Sequence, residues 1–273
     1  MALSMPIHDL SGEGLLINVP RTTFQGVSVP ALGGIPLLAK LGQGGMGAVY
    51  YGVKVLLEQE VAVKVLAIES AEQRPDLVDR FLREARIAAH VESPHLVRVT
   101  DVSEERGLFY LVMEYVNGVS AGALLRDTVV AGQELDEATA VEICLAATSG
   151  LANAHAQGVV HRDIKPDNIL IPKAQDGSLL FPAAKLADLG LARDLARQQT
   201  LTGVQDAMGT PGYMAPEQAT AVKEAGKPAD VFSMGATLYA LLAGHSPFKG
   251  PTSTATILKT IQEPHVPIRE VRP

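Results

Sequence analysis

Short runs of hydrophobic residues, rich in β-branched and aromatic side chains, dominate the first part of the chain and predict β-strands. Each run is too short for a typical helix and is bounded by glycine or charged residues, and the runs lie at residues 35–40, 48–55, 61–66 and 108–116. The preceding residues, 1–34, contain scattered Gly and Pro and show no sustained period, so we treat them as an extension of uncertain order.

Helical spacing of hydrophobic residues is typical of the rest of the chain. Asp136 is expected to cap a long helix that runs to about Gln157, with Gly158 as its stop signal. Further helices are predicted at about 75–91 and 230–244. The pattern therefore predicts an α+β protein in which a small antiparallel β part with one main helix precedes a larger, mostly helical part.

Composition narrows the class of protein. The chain has 273 residues, 47% of them hydrophobic, which is ample for a buried core. Its net charge of −7 argues against a general nucleic-acid or anionic-membrane binder. The single cysteine, Cys144, lies in a helical stripe, is expected in the core, and fits the reducing cytoplasm. No hydrophobic run reaches membrane-spanning length, and the first residues do not resemble a secretion signal.

The densest group of polar side chains lies at residues 161–168, between a helix stop and a predicted strand. It contains a carboxylate at Asp163, a lysine at Lys165 and an amide at Asn168. Together these groups could accept a proton, offset phosphate charge and ligate a metal. A solvated turn is the alternative, because Pro, Asp and Asn also favour turns.

Three glycines, Gly42, Gly44 and Gly47, lie between two predicted strands. Glycines in this spacing allow the backbone to approach phosphate groups closely. A dinucleotide-binding turn has similar glycines but opens a helix, whereas residues 48–55 form a strand pattern. The sequence therefore favours a glycine-rich hairpin over phosphates.

Lys64 lies inside a hydrophobic strand, where an unpaired cation would be costly. Glu84 falls on the hydrophobic stripe of the helix predicted at 75–91, so its carboxylate is expected to face the sheet. We predict a Lys64–Glu84 ion pair that places the lysine on phosphates; two unrelated surface charges are the alternative. His90 and His95 flank a turn and have no metal-ligand partner at useful spacing, so we assign them to structure.

Three further segments follow the polar loop. Asp188 ends a strand before a glycine and is suited to bind Mg²⁺. Residues 209–217 read Gly-Thr-Pro-Gly-Tyr-Met-Ala-Pro-Glu and follow a polar segment that contains Thr200 and Thr202. Asp230 lies near the start of a buried helix and is expected to accept backbone N–H groups.

The order of these motifs resembles that of the eukaryotic-type (Hanks-type) serine/threonine protein kinases, most closely the bacterial members. The motifs that carry the resemblance are the glycine-rich hairpin, Val-Ala-Val-Lys, His-Arg-Asp, Asp-x-Gly and Ala-Pro-Glu. The resemblance implies a two-lobed fold with ATP in the cleft. The N-lobe would cover about 35–113, the hinge about 114–118 and the C-lobe about 119–273.

The resemblance also implies a role for each matching residue. Catalysis would use Asp163 as base, Lys165 on the transferring phosphoryl group, and the activating pair Lys64 and Glu84. Asn168 and Asp188 would hold Mg²⁺, with Mn²⁺ as an alternative. ATP would be bound by Leu41, Gly42, Gly44, Gly47, Val49, Ala62, Lys64, Met113, Glu114, Val116 and Leu170. Structural roles would fall to Thr210, Glu217 and Asp230.

The implied activity is transfer of the γ-phosphoryl group of ATP to protein Ser and Thr hydroxyls, with a dimer for trans-autophosphorylation and no nucleic-acid partner. Lys165 and Thr210 resemble the serine/threonine rather than the tyrosine enzymes. A nucleotide-binding scaffold with little activity is the first alternative. A small-molecule kinase is the second, although such enzymes usually lack the Ala-Pro-Glu segment.

Two departures from the family pattern favour the scaffold. Leu189 replaces the phenylalanine of Asp-Phe-Gly. The family also continues through two further helices, one of which carries an arginine that pairs with the Ala-Pro-Glu glutamate. We therefore expect a shortened domain in which Glu217 lacks its partner, and losing one member of a buried ion pair costs roughly 3–5 kcal/mol.

Arg162, ahead of the catalytic aspartate, resembles kinases that are switched on by phosphorylation. Since arginine binds phosphate bidentately, a phosphate on Thr200 or Thr202 would order the segment around it. We predict autophosphorylation at one of these threonines, detectable by mass spectrometry after incubation with Mg-ATP. Finding both threonines unmodified in an active preparation would contradict this prediction.

Overall fold

The structure is a computed structural model that describes residues 3–44, 47–66, 85–86, 88–189, 210–220 and 225–273. The chain forms two compact units. Among the described residues, the first unit holds those up to 90 together with 98–115, and the second holds 91–97 and those from 116 onward.

A seven-stranded antiparallel sheet forms most of the first unit, in the order β1-β2-β3-β4-β5-β7-β6. All four predicted strands are present, as β3, β4, β5 and β7. The strands are β1 Arg21–Phe24, β2 Val27–Leu32, β3 Ile35–Gly44, β4 Gly47–Lys54, β5 Gln59–Leu66, β6 Val99–Glu105 and β7 Leu108–Glu114.

Both faces of this sheet bury hydrophobic side chains. Successive residues of a strand point to opposite faces, so Leu37 and Tyr50 belong to one hydrophobic cluster while Leu38 and Tyr51 belong to another. Burial on both sides explains why the strands read as nearly continuous hydrophobic runs rather than as an alternating pattern.

The extension before residue 35, whose order the sequence left open, packs on both faces of the sheet. Strands β1 and β2 extend the sheet beyond β3. Leu3, Met5 and Ile7 pack against the cluster that contains Tyr51, whereas Leu10 and Leu16 are buried in the cluster that contains Tyr50.

The extension crosses from one face to the other beside β3. The backbone N–H of His8 donates a hydrogen bond to the Leu38 carbonyl of β3 at 2.7 Å. This bond lies between the residues that pack on the two faces, so it marks the crossing point.

The second unit is mostly helical. It also contains a three-stranded antiparallel sheet in the order β10-β9-β8, from β8 Gly118–Ser120, β9 Ile169–Pro172 and β10 Lys185–Leu186. Its helices are α1 Ala121–Val130, α2 Glu137–Ala156, α3 Pro216–Thr220, α4 Lys227–Ala243, α5 Ser253–Gln262 and α6 Ile268–Val271.

The long helix predicted between Asp136 and Gln157 is confirmed as α2. The Asp136 side chain accepts a hydrogen bond from the Thr139 backbone N–H at 3.1 Å, and Gly158 follows with φ of 77°. Cys144 is buried in this helix, as expected, and burial raises the pKa of its thiol to about 12. In the described part of the chain, no helix combines the length and hydrophobicity needed to cross a membrane.

Two glycines inside helices offer a matched test of packing. A methyl group on Gly150 of α2 would overlap the backbone carbonyl of His95, whereas one on Gly235 of α4 would meet no described atom within 4 Å. We predict that Gly150→Ala lowers the free energy of unfolding by about 1–3 kcal/mol through overpacking. Gly235→Ala should raise it by about 0.5–1 kcal/mol through helix propensity.

Urea denaturation of both variants beside the parent chain measures the two effects. An equal stabilisation by both substitutions would contradict the close packing of α2 against His95.

Candidate active site

A fully buried carboxylate, that of Asp230 in α4, holds the start of the polar loop at residues 161–168. It accepts backbone hydrogen bonds from His161 at 2.8 Å and Arg162 at 2.7 Å, and it lies 2.7 Å from His155 Nε2. Asp230 was expected to accept backbone N–H groups, and it does. These donors belong to the loop rather than to the start of α4.

The His161 imidazole is fully buried and links the loop to Ala187, which follows β10 and precedes Asp188. Its Nδ1 accepts a hydrogen bond from the Asp163 backbone N–H at 3.2 Å, and its Nε2 lies 2.9 Å from the Ala187 carbonyl. Only the neutral ring protonated at Nε2 makes both bonds. Burial, opposed by the nearby Asp230 charge, lowers the pKa of His161, which favours this neutral form.

Asp163, Lys165 and Asn168 form one connected group. The Asn168 side-chain amide donates to the Asp163 carbonyl at 2.7 Å and to its carboxylate at 3.2 Å. Lys165 Nζ lies 3.4 Å from the Asp163 carboxylate and donates to the Thr210 hydroxyl at 2.9 Å. The sequence placed Asp163, Lys165 and Asn168 in one loop, and the structure brings these three residues within hydrogen-bonding or ion-pair distance and adds Thr210 through Lys165.

Asp188 lies beside this group. The Ala187 N–H donates to the Asn168 carbonyl at 2.8 Å, so the residue before Asp188 is tied to the loop from both its N–H and its carbonyl. Asp188 and Arg162 have positive φ, 59° and 64°, which is uncommon for residues other than glycine. Such strained residues cluster at functional sites, where surrounding contacts hold them in place.

Gln218 is a structural contributor that the sequence did not reveal. It is 1% exposed, its amide donates to the Arg162 carbonyl at 3.0 Å, and its side-chain oxygen accepts from the Ala215 N–H at 3.0 Å. It therefore joins the Ala-Pro-Glu segment to the loop. Its neighbour Glu217 is partly exposed, so the full cost expected for a buried, unpaired carboxylate does not apply there.

A charged pair lies at the rim of the loop. Arg126 of α1 donates to the Asp167 carboxylate at 2.7 Å, and both side chains are largely exposed. The charge of this pair affects the nearby phenol of Tyr213. Burial, and then the charge of Asp167, raise the pKa of Tyr213 to about 12. The Tyr213 phenol therefore keeps its proton at physiological pH.

The first unit holds most of the residues expected to bind ATP. In the strand register, Val49 pairs with Lys64, and Ala62 pairs with Met113. These four side chains point to the same face of the sheet, since directly paired residues share a face and residues two apart on one strand do as well. Gly47 has φ of 134°, a conformation that glycine adopts readily.

Other predicted residues are placed as follows. Leu41, Gly42 and Gly44 end β3, Glu114 ends β7, Val116 follows β7 in the chain, and Leu170 lies in β9 of the second unit. Glu84, Thr200 and Thr202 lie outside the described residues. The Lys64–Glu84 ion pair therefore stays a prediction, as do the two phosphorylation sites.

The Asn168 amide in the loop and the Asp188 carboxylate beyond it offer oxygen ligands of the kind that a hard cation prefers. No group of three or more His, Cys, Asp or Glu side chains that could hold a metal occurs among the described residues. Mg²⁺ needs less, because it is usually held by one or two carboxylates together with substrate phosphates and water. The Asp188 carboxylate and the Asn168 amide oxygen fit that requirement.

Comparisons with known proteins agree with this geometry. The family described as Protein kinase domain matches residues 36–271. Serine/threonine-protein kinase PrkC of Bacillus subtilis is 35% identical over 83% of this chain and 33% of its own length. Serine/threonine-protein kinase pkn2 of Myxococcus xanthus is 39% identical over 79% of this chain and 25% of its own length. The chain thus spans about a quarter to a third of these relatives.

A solved structure is also similar. The crystal structure of a point mutant of the Mycobacterium tuberculosis PknI kinase domain has a TM-score of 0.66 and 25% identity to this chain. The alignment covers 92% of this chain and 85% of that one.

The buried carboxylate under the loop generates a stability prediction. In Asp230→Ala, the two backbone N–H groups of His161 and Arg162 lose their acceptor, at about 1–3 kcal/mol each. We therefore predict that the free energy of unfolding falls by at least about 2 kcal/mol, as measured by urea denaturation.

Asp176→Ala is the matched control, because the exposed Asp176 carboxylate also accepts a backbone hydrogen bond, from Ser178 at 2.9 Å. The control should change stability by less than about 0.5 kcal/mol. Similar effects of the two substitutions would refute the anchoring role of Asp230.

Proposed function

The chain belongs to the protein kinase family, and on that premise we propose that it transfers the γ-phosphoryl group of ATP to Ser and Thr hydroxyls of proteins. The predicted fold class, α+β with a protein-kinase-like fold, is confirmed. The bacterial relatives carry the name serine/threonine-protein kinase, which supports this class of acceptor.

The observation that carries the proposal is the position of Asp163 within its hydrogen-bonded loop. Its carboxylate is oriented by the Asn168 amide at 3.2 Å and the Lys165 ammonium at 3.4 Å, and its backbone N–H is bonded to His161. In phosphoryl transfer an aspartate at this place accepts the proton of the attacking hydroxyl. Fixing it in advance lowers the entropic cost of aligning that hydroxyl.

Lys165 contributes charge and specificity. It lies between Asp163 and Thr210, and an ammonium group there offsets negative charge on the phosphoryl group as it moves. The Lys165–Thr210 hydrogen bond joins the two residues that led us to expect a serine/threonine rather than a tyrosine enzyme. We therefore propose alkyl hydroxyls as the acceptors.

ATP and Mg²⁺ complete the proposed reaction. Asp188 and Asn168 would hold Mg²⁺, which neutralises phosphate charge when bound. Lys64, on the same sheet face as Val49, Ala62 and Met113, would bind the α- and β-phosphates, and those apolar side chains would contact the adenosine part.

The scaffold alternative is weakened by the packing of Leu189. This residue replaces the phenylalanine of the family motif, yet it is only 6% exposed. The buried leucine thus still fills a hydrophobic position next to Asp188 in the chain. We therefore favour an active enzyme.

The setting of the reaction is part of the proposal. The one cysteine fits a reducing compartment, so we propose that this domain acts in the cytoplasm. We also propose that one chain phosphorylates another at Thr200 or Thr202, in a dimer formed for that step.

Replacing the proposed base tests the function. We predict that Asp163→Asn lowers kcat for transfer of labelled phosphate to a generic protein substrate by about 10²–10⁴-fold, because the amide cannot accept the proton. Phosphoamino-acid analysis of the parent reaction should find phosphoserine or phosphothreonine and no phosphotyrosine.

Asp176→Asn in the same unit controls for loss of one negative charge and should retain full activity. A parent chain that binds Mg-ATP without any transfer would support the scaffold instead. Equal activity of Asp163→Asn and the parent would exclude Asp163 as the base.

A further inference from the structure

Glu13, in the extension before the family match, contacts both strands of the glycine-rich hairpin. Its carboxylate accepts hydrogen bonds from Lys40 Nζ at 2.8 and 3.0 Å and from the Tyr50 hydroxyl at 3.1 Å. Lys40 lies on β3 and Tyr50 on β4, and the two are paired across the strands. One carboxylate therefore joins the two strands just below the glycines.

The contact continues into the glycine-rich turn itself. Lys40 Nζ also donates to the side-chain oxygen of Gln43 at 2.7 Å, and Gln43 lies between Gly42 and Gly44. A methyl group placed on either glycine would meet no described atom within 4 Å. Residues 41–44, the described part of the turn on the β3 side, are all exposed, so the chain of bonds from Glu13 through Lys40 to Gln43 is a main constraint on their position.

Burial and charge favour one set of protonation states for Glu13, Lys40 and Tyr50. The Lys40 and Glu13 side chains are only 27% and 24% exposed, so solvent screens the pair less than a surface ion pair. The hydrogen bond from Lys40 lowers the pKa of Glu13, and burial together with Glu13 raises the pKa of Tyr50. At neutral pH the carboxylate is thus ionised while the phenol keeps its proton.

The extension that carries Glu13 is itself fixed. Leu10 and Leu16, on either side of Glu13, are buried at 5% and 4% exposure in the cluster that also holds Tyr50. On the other face, Ser4 bonds to the Glu60 carboxylate of β5 through its N–H at 2.6 Å and its hydroxyl at 2.7 Å. Glu13 is therefore held from both directions along the chain.

We propose that Glu13 is a positioning residue for nucleotide binding, which acts through Lys40 and Gln43 to hold the glycine-rich hairpin in its ATP-binding conformation. This inference rests on the proposed function, because it assumes that the hairpin binds the phosphates of ATP. It assigns to the extension a role in the affinity for ATP, separate from the chemical step.

The test compares Glu13→Gln with the parent chain in Mg-ATP binding, by calorimetry, and in steady-state phosphate transfer. The substitution keeps the size of the side chain but removes its charge, and the amide can present a donor to Lys40. We expect Kd and KM for ATP to rise about five- to tenfold, with kcat within about twofold of the parent.

Asp9→Asn is the matched control, because Asp9 is an exposed carboxylate of the same segment whose hydrogen bonds go to Ser11. It should leave Kd, KM and kcat unchanged. Lys40→Met should weaken ATP binding by about as much as Glu13→Gln. The Kd for ATP of the double variant should be less than about twofold higher than that of either single variant, because both residues belong to one network.

Each outcome decides between the two proposals. A lower melting temperature for Glu13→Gln with an unchanged Kd would overturn the positioning role and leave only a structural one. If Asp9→Asn weakened ATP binding as much as Glu13→Gln does, the effect would be one of general charge, and the positioning role of Glu13 would be overturned. If the parent binds Mg-ATP without phosphate transfer, the proposed function fails, while the Kd comparison still decides the role of Glu13. A parent that does not bind ATP would overturn both.

Discussion

The hydrogen bonds that the buried Asp230 carboxylate accepts from the loop at residues 161–168 are the constraint on which the second unit depends. Burying a charged carboxylate is costly unless hydrogen-bond donors surround it. The partners of Asp230 are the backbone N–H groups of His161 and Arg162 and the ring of His155. The helix that carries Asp230 therefore fixes the loop, and the loop in turn orients Asp163. Packing of α2 against the same region gives this arrangement a rigid support.

The first unit achieves rigidity differently. Its sheet buries hydrophobic side chains on both faces, and the extension supplies part of the cover on each. The strands are thus well fixed, whereas residues 41–44, the described part of the glycine-rich turn on the β3 side, are exposed. Next to these exposed residues, Glu13 contacts the hairpin through its ion pair with Lys40 and its hydrogen bond with Tyr50. The sheet of the first unit is thus held mainly by packing, while one carboxylate in each unit, Glu13 or Asp230, holds a polar segment through hydrogen bonds.

The elements that were predicted from the sequence carry local signals. The cap at Asp136, the stop at Gly158 and the hydrophobic runs of β3, β5 and β7 all specify their structure within a few residues. Strands β1 and β2 were not predicted, because their segment shows no sustained hydrophobic period. Each nevertheless pairs with the next strand across a two-residue turn, Gln25-Gly26 or Gly33-Gly34, and such glycine turns are a local hairpin signal that could have revealed them.

The site also contains residues that were predicted and one that was not. Asp163, Lys165 and Asn168 lie within one loop, so their spacing alone placed them together. Gln218 had no such signal, since a glutamine early in a helix is ordinary and its bond to the Arg162 carbonyl exists only in the folded chain.

The neutral His161 ring makes the loop sensitive to acid. Its pKa in the folded chain is lowered from the ordinary histidine value of 6.5, so the unfolded chain binds a proton more readily. The stability that this ring contributes is complete above that value and is lost as the pH falls below it. A proton on Nδ1 would also displace the Asp163 backbone N–H. Acidification would thus remove one of the contacts that hold the Asp163 backbone within the loop.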